Sequence, residues 1–428
     1  MKITRRADKI NPNYIVDVSV DVHKETLYFF FVLCGREYSD TCPNRTAALE
    51  KRLRHYHAIV SEQGQKSLRI LCEPTGQYQN KLMRTARRLG FLTSYVNAES
   101  VAKFRQIESN DMNKTDTKDP RVISSLGKLN KTIRFRLLDE DYLMLRKLHK
   151  IFDETDVSLT SIRCRISKLL LELFCDYSFE SCFLYSRSGQ ALLQHYGCSP
   201  WRILADGFPG FCRTMKKTVP RIRTKTLERL WDDACSSVLN ELPAGCIAIQ
   251  ENRLREYMED YHRELGRKEE TTRQMIEILK RLREKDPNIP PPTPQVLSEK
   301  NLARLLAETG PVHDFSHWRK LLRYAGMNIR MRQSGVYRGK NKLSKKGRPL
   351  LRKVLMQIVL PLVRKGYLYG EIYHRKKEQE NRPGTMAMAI VARQFLRKFY
   401  GWYRSGREFD EQRFFTCESR YVKLAEAA

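Results

Sequence analysis

Four acidic residues stand where they could hold divalent metal ions. Asp21 lies at the end of the apolar stretch YIVDVSVDV, and Glu73 follows a second apolar stretch, SLRILC. Asp116 and Asp119, in KTDTKDPRV, are three residues apart and would share one side of a helical turn. Burying an ionised carboxylate is costly unless something charged receives it. Carboxylates from two strand ends and a nearby helix suit a pair of divalent ions, which clamp the attacking and leaving oxygens of a phosphodiester.

Asp17 competes with Asp21 for the role of ligand on the first stretch. In a strand, its side chain would lie on the same face as that of Asp21. Because the strand ends after Asp21 and HKET follows, Asp21 is the favoured ligand. Asp17 is then expected to be buried or paired, for instance with a lysine. For Asp116 and Asp119, a solvated helix face is the alternative interpretation.

The charge and composition of the chain limit the classes of molecule that it is expected to bind. Its 428 residues include 79 Lys and Arg against 49 Asp and Glu, a formal net charge of +30 that is spread along the sequence. The expected partner of such a field is a polyanion, of which nucleic acid is the commonest. No apolar run approaches the ~18–20 residues that a spanning helix needs, and the N-terminus lacks the apolar centre of a signal peptide. These features predict a cytoplasmic protein with no membrane partner.

The eleven cysteines are scattered singly along the chain. There is no CxxC pair and no Cys/His cluster at the spacing of zinc ligands. Free thiols in a reducing compartment are therefore expected.

The elements that must position the acidic residues alternate along the N-terminal region. Strand-like stretches (YIVDVSVDV, TLYFFFVLC, SLRILCEP, FLTSYVN) are interleaved with helix-like ones (TAALEKRLRHYHAIV, NKLMRTARRLG). The first two strands are expected to form a hairpin. The pattern predicts an α/β domain with a mixed sheet over residues 1–130.

Two long helices with coiled-coil spacing are expected in the middle region, residues 131–286. Apolar side chains recur every three or four residues from Leu145 to Leu173, and a weaker run extends from Leu254 to Leu279. The helices could pair within one chain or between two chains, and four regular heptads are compatible with a dimer seam. The region ends at KDPNIPPPTPQ, where five prolines in eight residues break the helix.

The C-terminal region, residues 287–428, has mostly helical patterns and one strongly basic segment. No acidic residue occurs from Arg330 to Lys353. The candidate nucleic-acid-binding side chains of this segment are Arg330, Arg332, Arg338, Lys340, Lys342, Lys345, Lys346 and Arg348. Phosphate contacts from such residues would make binding strongly dependent on salt.

The order and spacing of VDVHKETL, CEPTG and KTDTKDPRV resemble the acidic motifs of the DEDD-type transposases of bacterial insertion sequences, the insertion-sequence one-ten family. The resemblance implies a RuvC-like (RNase H-like) N-terminal domain in which Asp21, Glu73, Asp116 and Asp119 are catalytic and bind Mg²⁺ or Mn²⁺. Asp17 lies outside the motif. The LLAETG, YAG, SG and KKG stretches resemble the C-terminal transposase domain of the same family. The expected fold is therefore an α/β RuvC-like domain, a coiled-coil helical region and a mostly α-helical C-terminal domain.

The same resemblance implies a serine nucleophile. The matching position is Ser334, in RQSGVYRGK. A serine that attacks a phosphodiester stores the bond energy as a phosphoserine ester, so the strand can be rejoined without ATP. Neighbouring cations would stabilise the charge that builds on the phosphoryl oxygens. Ser344, in KLSKKG, is the second candidate and is expected to cap the following helix.

One departure from the family pattern occurs before the LLAE helix. The family usually carries a Gly-hydrophobic-Gly hairpin there, whereas this chain has PPPTPQVLSEKN. A hairpin that grips a phosphate backbone is therefore expected to be missing at this position.

The expected function is that of a DNA transposase or recombinase of an insertion sequence, acting in the bacterial cytoplasm. The resemblance implies that it cuts and rejoins donor and target DNA, guided by a structured bridge RNA. It further implies a homo-oligomer, either a dimer or a tetramer. Two alternatives remain open: a RuvC-like junction nuclease that uses water, and a non-catalytic nucleic-acid scaffold. A serine substitution separates the recombinase from the junction nuclease, and a lack of metal dependence would indicate the scaffold.

Overall fold

The protein is described by a computed structural model. It covers residues 15–74, 76–109, 118–134, 136–180, 182–330, 333–339, 342–364, 369–410 and 414. The chain divides into two compact units, of which the first ends at Leu137 and the second begins at Leu138.

The first unit is built on a mixed six-stranded sheet. Its strands are β1 (Ile15–Val22), β2 (Thr26–Leu33), β3 (Arg36–Pro43), β4 (Ser67–Cys72), β5 (Leu92–Val96) and β6 (Thr132–Arg134). They lie in the order β3-β2-β1-β4-β5-β6. The β1–β4 and β4–β5 pairs are parallel, and the others are antiparallel. The carboxyl ends of β1 and β4 consequently meet at one edge of the sheet.

Helices cover both faces of this sheet. They are α1 (Thr46–Glu62), α2 (Gln79–Arg88), α3 (Ala98–Ser109) and α4 (Lys118–Lys128). The valines of β1 pack in one core with α1 and α2, whereas Leu71 of β4 packs with Val101 of α3 and Ile123 of α4 on the other face. Asp17, Ser19 and Asp21 alternate with the valines along β1, so they lie on the face that α4 covers.

The sequence predicted most of this unit. The α/β fold is confirmed, as are the β1–β2 hairpin and the helices α1 and α2. Three elements were not predicted: the edge strand β3, the three-residue strand β6 and the helix α3.

The second unit begins with the two long helices. These are α5 (Glu140–Leu173) and α10 (Ala244–Lys285). Between them lies a helical insert of α6 (Arg187–Tyr196), α7 (Pro200–Ala205), α8 (Gly207–Thr218) and α9 (Thr224–Ser237). The insert packs on the C-terminal part of α5 and the N-terminal part of α10, with which it shares a core.

The heptad residues of α5 are buried within a single chain. Phe152 packs in one core with Met275 and Leu279 of α10. Leu159 is 3% exposed and shares the core of the helical insert with Met258 of α10. The structure therefore pairs the two predicted coiled-coil helices within the chain, and their apolar seam is already filled.

The remaining helices are α11 (Glu299–Thr309), α12 (Trp318–Tyr324), α13 (Pro349–Val359), α14 (Gly370–His374) and α15 (Gly384–Ser405). They form one core with the facing parts of α5 and α10. Between α12 and α13 stand four two-residue strands, β7 (Ile329–Arg330), β8 (Gln333–Ser334), β9 (Tyr337–Arg338) and β10 (Lys342–Leu343). In the part of the chain that the structure describes, no helix is both long and apolar enough to cross a bilayer.

Candidate active site

Asp21 and Glu73 lie side by side at the carboxyl edge of the first unit's sheet. The last residues paired between the parallel strands β1 and β4 are Val20 and Cys72, and each acid stands one position further along its strand. Neighbouring strands are about 4.8 Å apart. Burial raises the pKa of the Cys72 thiol, and the negative charges of Glu73 and Asp21 raise it further. The negative charges of both carboxylates therefore raise the pKa of the same buried thiol.

The carboxylate of Asp21 is held by a neighbour on its own strand face. His23 Nε2 lies 3.1 Å from Asp21 Oδ2. The ring of Tyr28, the residue opposite Asp21 in β2, stands edge-on to His23 with 5.7 Å between ring centroids. Asp21 itself is only 8% exposed. Its carboxylate thus has a fixed place at the end of the strand.

Asp119 is held by an arginine of the neighbouring helix. It is buried in the first turn of α4, and its Oδ1 accepts hydrogen bonds from Arg105 Nε at 2.8 Å and Arg105 Nη2 at 2.6 Å. Asp116 falls outside the described residues. Among the residues that are described, no three His, Cys, Asp or Glu side chains form a group that could hold a metal ion. The structure therefore brings Asp21 and Glu73 together and places Asp119 against Arg105.

Asp17 has a structural role on the same sheet face. Its carboxylate accepts two hydrogen bonds from Arg69, at 2.6 Å from Nε and 2.5 Å from Nη2. Gly127 of α4 packs over this pair, and a Cβ atom there would come within 3.0 Å of Asp17 Oδ2. The expected pairing is confirmed, but the partner is an arginine and not a lysine. The opposite register position of β4 supplies it.

The edge formed by Asp21 and Glu73 suits a hard divalent cation. Two carboxylates on adjacent strand ends repel one another, and a cation between them would offset that repulsion. Ser19, on the same face of β1, is fully buried, and its Oγ has no hydrogen-bond partner among the described residues. The side-chain oxygens of Ser19 and Asp21 thus lie on the same face of β1.

Ser334 stands on a small hairpin in the second unit. Strands β8 and β9 pair Gln333 with Arg338 and Ser334 with Tyr337, which leaves a two-residue turn. Gly335 has φ +53° in that turn, a conformation that favours glycine. Ser334 is exposed, and Val336 at the tip is fully exposed. The hydroxyl is therefore accessible to a substrate from solvent.

The basic segment is anchored where two glycine motifs touch. Lys345 N donates to Gly326 O at 3.0 Å, and Arg348 N donates to Tyr324 O at 3.0 Å. A Cβ atom on Gly347 would lie 2.3 Å from Gly326 N. The YAG and KKG motifs thus require glycine at their third position, because their backbones are in contact there. Strands β7 and β10 pair next to this contact.

The candidate cations of the segment have different surroundings. Arg330, Lys342, Lys345 and Lys346 are exposed. Arg332 and Lys340 lie outside the described residues, as does the side chain of Arg338. Arg348 is only one-third exposed, and its Nε donates to Glu308 Oε2 at 2.7 Å. Its guanidinium is therefore engaged within the protein.

Glu308 is the centre of a buried charge network that the sequence interpretation missed. Its side chain is 1% exposed, and besides Arg348 it contacts His149 Nδ1 of α5 at 3.0 Å. Arg146 donates to the backbone carbonyls of Ala307 and Glu308. Burial alone would raise the pKa of Glu308, but the hydrogen bonds from His149 and Arg348 lower it to about 2. The only sequence signal was an acidic residue inside the apolar run LARLLAETG.

Ser344 does not cap α13, so that prediction is wrong. The helix begins at Pro349, and Arg348 occupies the N-cap position. Ser344 Oγ lies 2.5 Å from Asn328 Oδ1 and 3.3 Å from Gly326 O. This hydroxyl links the loop to the residues that follow α12. The proline at the first position of α13 has no backbone N–H that a capping side chain would need to satisfy. Just before α11, where the family usually carries a hairpin, the described residues show an isolated antiparallel bridge between Thr293 and Leu297.

Two family models match the chain, one over each unit's candidate residues. A DEDD transposase model of IS110 elements matches residues 18–175, and the model of the transposase IS116/IS110/IS902 family matches residues 296–374. The chain belongs to the IS110 family of transposases. A search of curated proteins finds no significant match.

Membership of the IS110 transposases fixes the general activity. The enzyme cuts and rejoins DNA, and its substrates are DNA. The DEDD class of its first domain indicates dependence on a divalent metal. The RuvC-like α/β domain followed by a mostly helical region is the confirmed fold class.

Proposed function

We propose that this IS110 transposase cuts and rejoins DNA with Ser334 as its nucleophile, and that Asp21, Glu73, Asp116 and Asp119 hold Mg²⁺ or Mn²⁺. The observation that supports it most is the placement of Asp21 and Glu73 at adjacent ends of parallel strands. The exposure of Ser334 on a hairpin within a segment free of acidic residues adds to it.

The proposed chemistry is a transesterification. Ser334 Oγ forms a bond to phosphorus, the bond from phosphorus to one strand end breaks, and the proton of the hydroxyl passes to the departing oxygen. The reverse step with a new strand end rejoins the DNA and restores the serine. A bound divalent ion would polarise the phosphate that is attacked. Arg330 and Lys342, on paired strands next to the hairpin, would bind phosphate oxygens and orient the strand.

We further propose that a structured bridge RNA guides the choice of donor and target DNA, and that the enzyme acts as a homo-oligomer. The net charge of +30 would accommodate both RNA and DNA. Since the seam between α5 and α10 is filled within one chain, copies would associate through another surface.

The experiment is a strand-exchange assay with three matched variants of the full chain. Ser334→Ala should abolish exchange, because no phosphoserine ester can form. Asp21→Asn should abolish both cleavage and exchange. Ser344→Ala, which removes a hydroxyl of the same basic segment, should keep exchange. If Ser334→Ala still cleaves but does not rejoin, the enzyme would use water, as a junction nuclease does; if it recombines like the wild type, the serine mechanism is wrong.

A further inference from the structure

Six exposed cations occur within residues 213–225 of the helical insert, far along the chain from the candidate residues above. The α8–α9 patch consists of Arg213, Lys216, Lys217, Arg221, Arg223 and Lys225. All six are exposed. No acidic residue occurs between Asp206 and Glu228. Within the described residues, none of the six has an ion-pair partner.

The patch is carried by a firmly packed support. The apolar face of α8 buries Phe211 and Met215, and α9 buries Leu227 and Leu230. Ile222, in the loop between the two helices, is 9% exposed and belongs to the same core. The exposed cations therefore alternate with side chains that are packed in a core.

A concentration of like charge needs a reason, because it opposes folding. The long helix α10 shows the alternative. There, Arg263, Arg267 and Arg273 each pair with an acidic residue three positions earlier. A helix that needs only solubility intersperses both signs in this way. The α8–α9 patch lacks such compensation, which points to an external polyanion.

The chemistry of the patch favours a phosphate backbone over unpaired bases. The aromatic side chains of this part of the insert contact one another, with Phe208 and Trp231 edge to face at 5.4 Å and Phe211 beside Trp231 at 6.2 Å. They are thus engaged in packing and do not form a stacking platform of the kind that binds single strands. Lysine and arginine without aromatic partners bind duplex phosphates without reading sequence.

We propose that the α8–α9 patch is a second DNA-binding surface of the enzyme, which holds the backbone of duplex DNA independently of its sequence. DNA is the polyanion that membership of this transposase family establishes as a substrate of the enzyme. Residues 207–227 lie outside both regions that the family models match, so those matches assign no role to the patch. The proposal does not depend on the identity of the nucleophile.

The test is equilibrium binding of the full chain to a labelled DNA duplex of arbitrary sequence, without metal, over a range of salt. The triple variant Lys216→Gln, Lys217→Gln and Arg221→Gln should bind about tenfold more weakly at low salt. Its log–log salt slope should fall by roughly 2 to 3, since each lost phosphate contact contributes about 0.9. The variant Lys216→Arg with Lys217→Arg keeps the charge and should bind like the wild type.

The matched control is Arg263→Gln, Arg267→Gln and Arg273→Gln, which removes the same charge from the mixed-sign surface of α10. It should keep the wild-type salt slope. Equal losses in the control and the patch variant would overturn the proposal, because net charge alone would then explain the effect. An unchanged slope in the patch variant would also overturn it. Loss of binding to an RNA duplex with intact DNA binding would overturn the choice of DNA as the ligand.

Discussion

The two parts of the proposed chemistry are positioned in opposite ways. Asp21 and Glu73 stand at the ends of strands whose other face is packed against α1 and α2, and Asp21 is 8% exposed. Ser334 stands on an exposed hairpin of two two-residue strands. The carboxylates are fixed by a core, whereas the serine is fixed by a short turn.

The difference indicates how the two sites should respond to substitution. Residues around the acidic pair contribute to both folding and chemistry, so the two effects must be separated there. A change at the hairpin should alter chemistry with little effect on folding, because few buried contacts depend on it. Within the second unit, we expect folding to be more sensitive to changes at the buried Glu308 and at the contact of the YAG and KKG motifs.

The largest expected effect separates Asp21 from Asp17, which share one strand face. Asp21→Ala should lower strand cleavage by about three to four orders of magnitude, comparable to the loss of a catalytic carboxylate, with near-normal unfolding. Asp17→Asn should keep cleavage above that level and lower the melting temperature, because Arg69 loses its ionic partner. Cleavage rates and thermal unfolding of both variants make the comparison. Wild-type cleavage by Asp21→Ala would remove that residue from the site.

Glu308 tests whether the second unit depends on its buried network. Glu308→Ala should reduce the free energy of unfolding by about 3–5 kcal/mol, because it leaves Arg348 and His149 without their shared partner. Lys345→Gln, in the same segment but exposed, should change stability by less than about 0.5 kcal/mol. Denaturant titration of the two variants measures both values. Equal stabilities would show that the network is not required for folding.

The same residue gives a pH dependence with a defined sign. The pKa of Glu308 is lowered from its usual 4.5 to about 2 in the folded state. The contribution of the ionised Glu308 to the free energy of unfolding is thus complete above pH 4.5. This contribution, roughly 3 kcal/mol in total, is lost as the pH falls from 4.5 towards 2. Glu308→Gln should show a smaller loss of stability over this interval than the wild type. Parallel acid-unfolding curves would contradict the assignment.

Substitutions of two glycines, one in a tight backbone contact and one in the exposed hairpin, have the smallest expected effects. Gly347→Ala should destabilise the protein by about 1–3 kcal/mol, because its Cβ would overlap the backbone of Gly326. Gly335→Ala meets no atom within 4 Å but must adopt φ +53°, at a cost of about 1–2 kcal/mol that falls on the hairpin alone. We expect it to slow strand exchange several-fold without lowering the melting temperature of the unit. A lower melting temperature for Gly335→Ala than for Gly347→Ala would reverse the contrast.

The sequence predicted the acidic edge because local pattern determines it. An apolar strand that ends in an acid is visible in VDV and in ILCE, and parallel pairing brings such ends together. The strand β3 escaped prediction because REYSDTCP lies at an edge and is largely exposed, so it carries little hydrophobic pattern. The strand β6 is only three residues long.

Long-range pairing explains most of the other differences. Heptads predicted α5 and α10, but the spacing alone does not distinguish a partner in the same chain from one in another copy. The network of Glu308 joins residues separated by 159 and 40 positions along the chain. Arg348 looked like a phosphate ligand because its sequence neighbours are basic, whereas its spatial neighbour is a buried acid.

The most direct test of the account is covalent trapping at Ser334. Wild-type protein stopped during the reaction with labelled DNA should give a protein–DNA adduct on denaturing electrophoresis, and peptide mapping should place the DNA on Ser334. Ser334→Ala should give no adduct, while Ser344→Ala should give the same adduct as the wild type. An adduct that maps to Ser344 would contradict the assignment of the nucleophile. Complete recombination by Ser334→Ala without any adduct would contradict the serine mechanism itself.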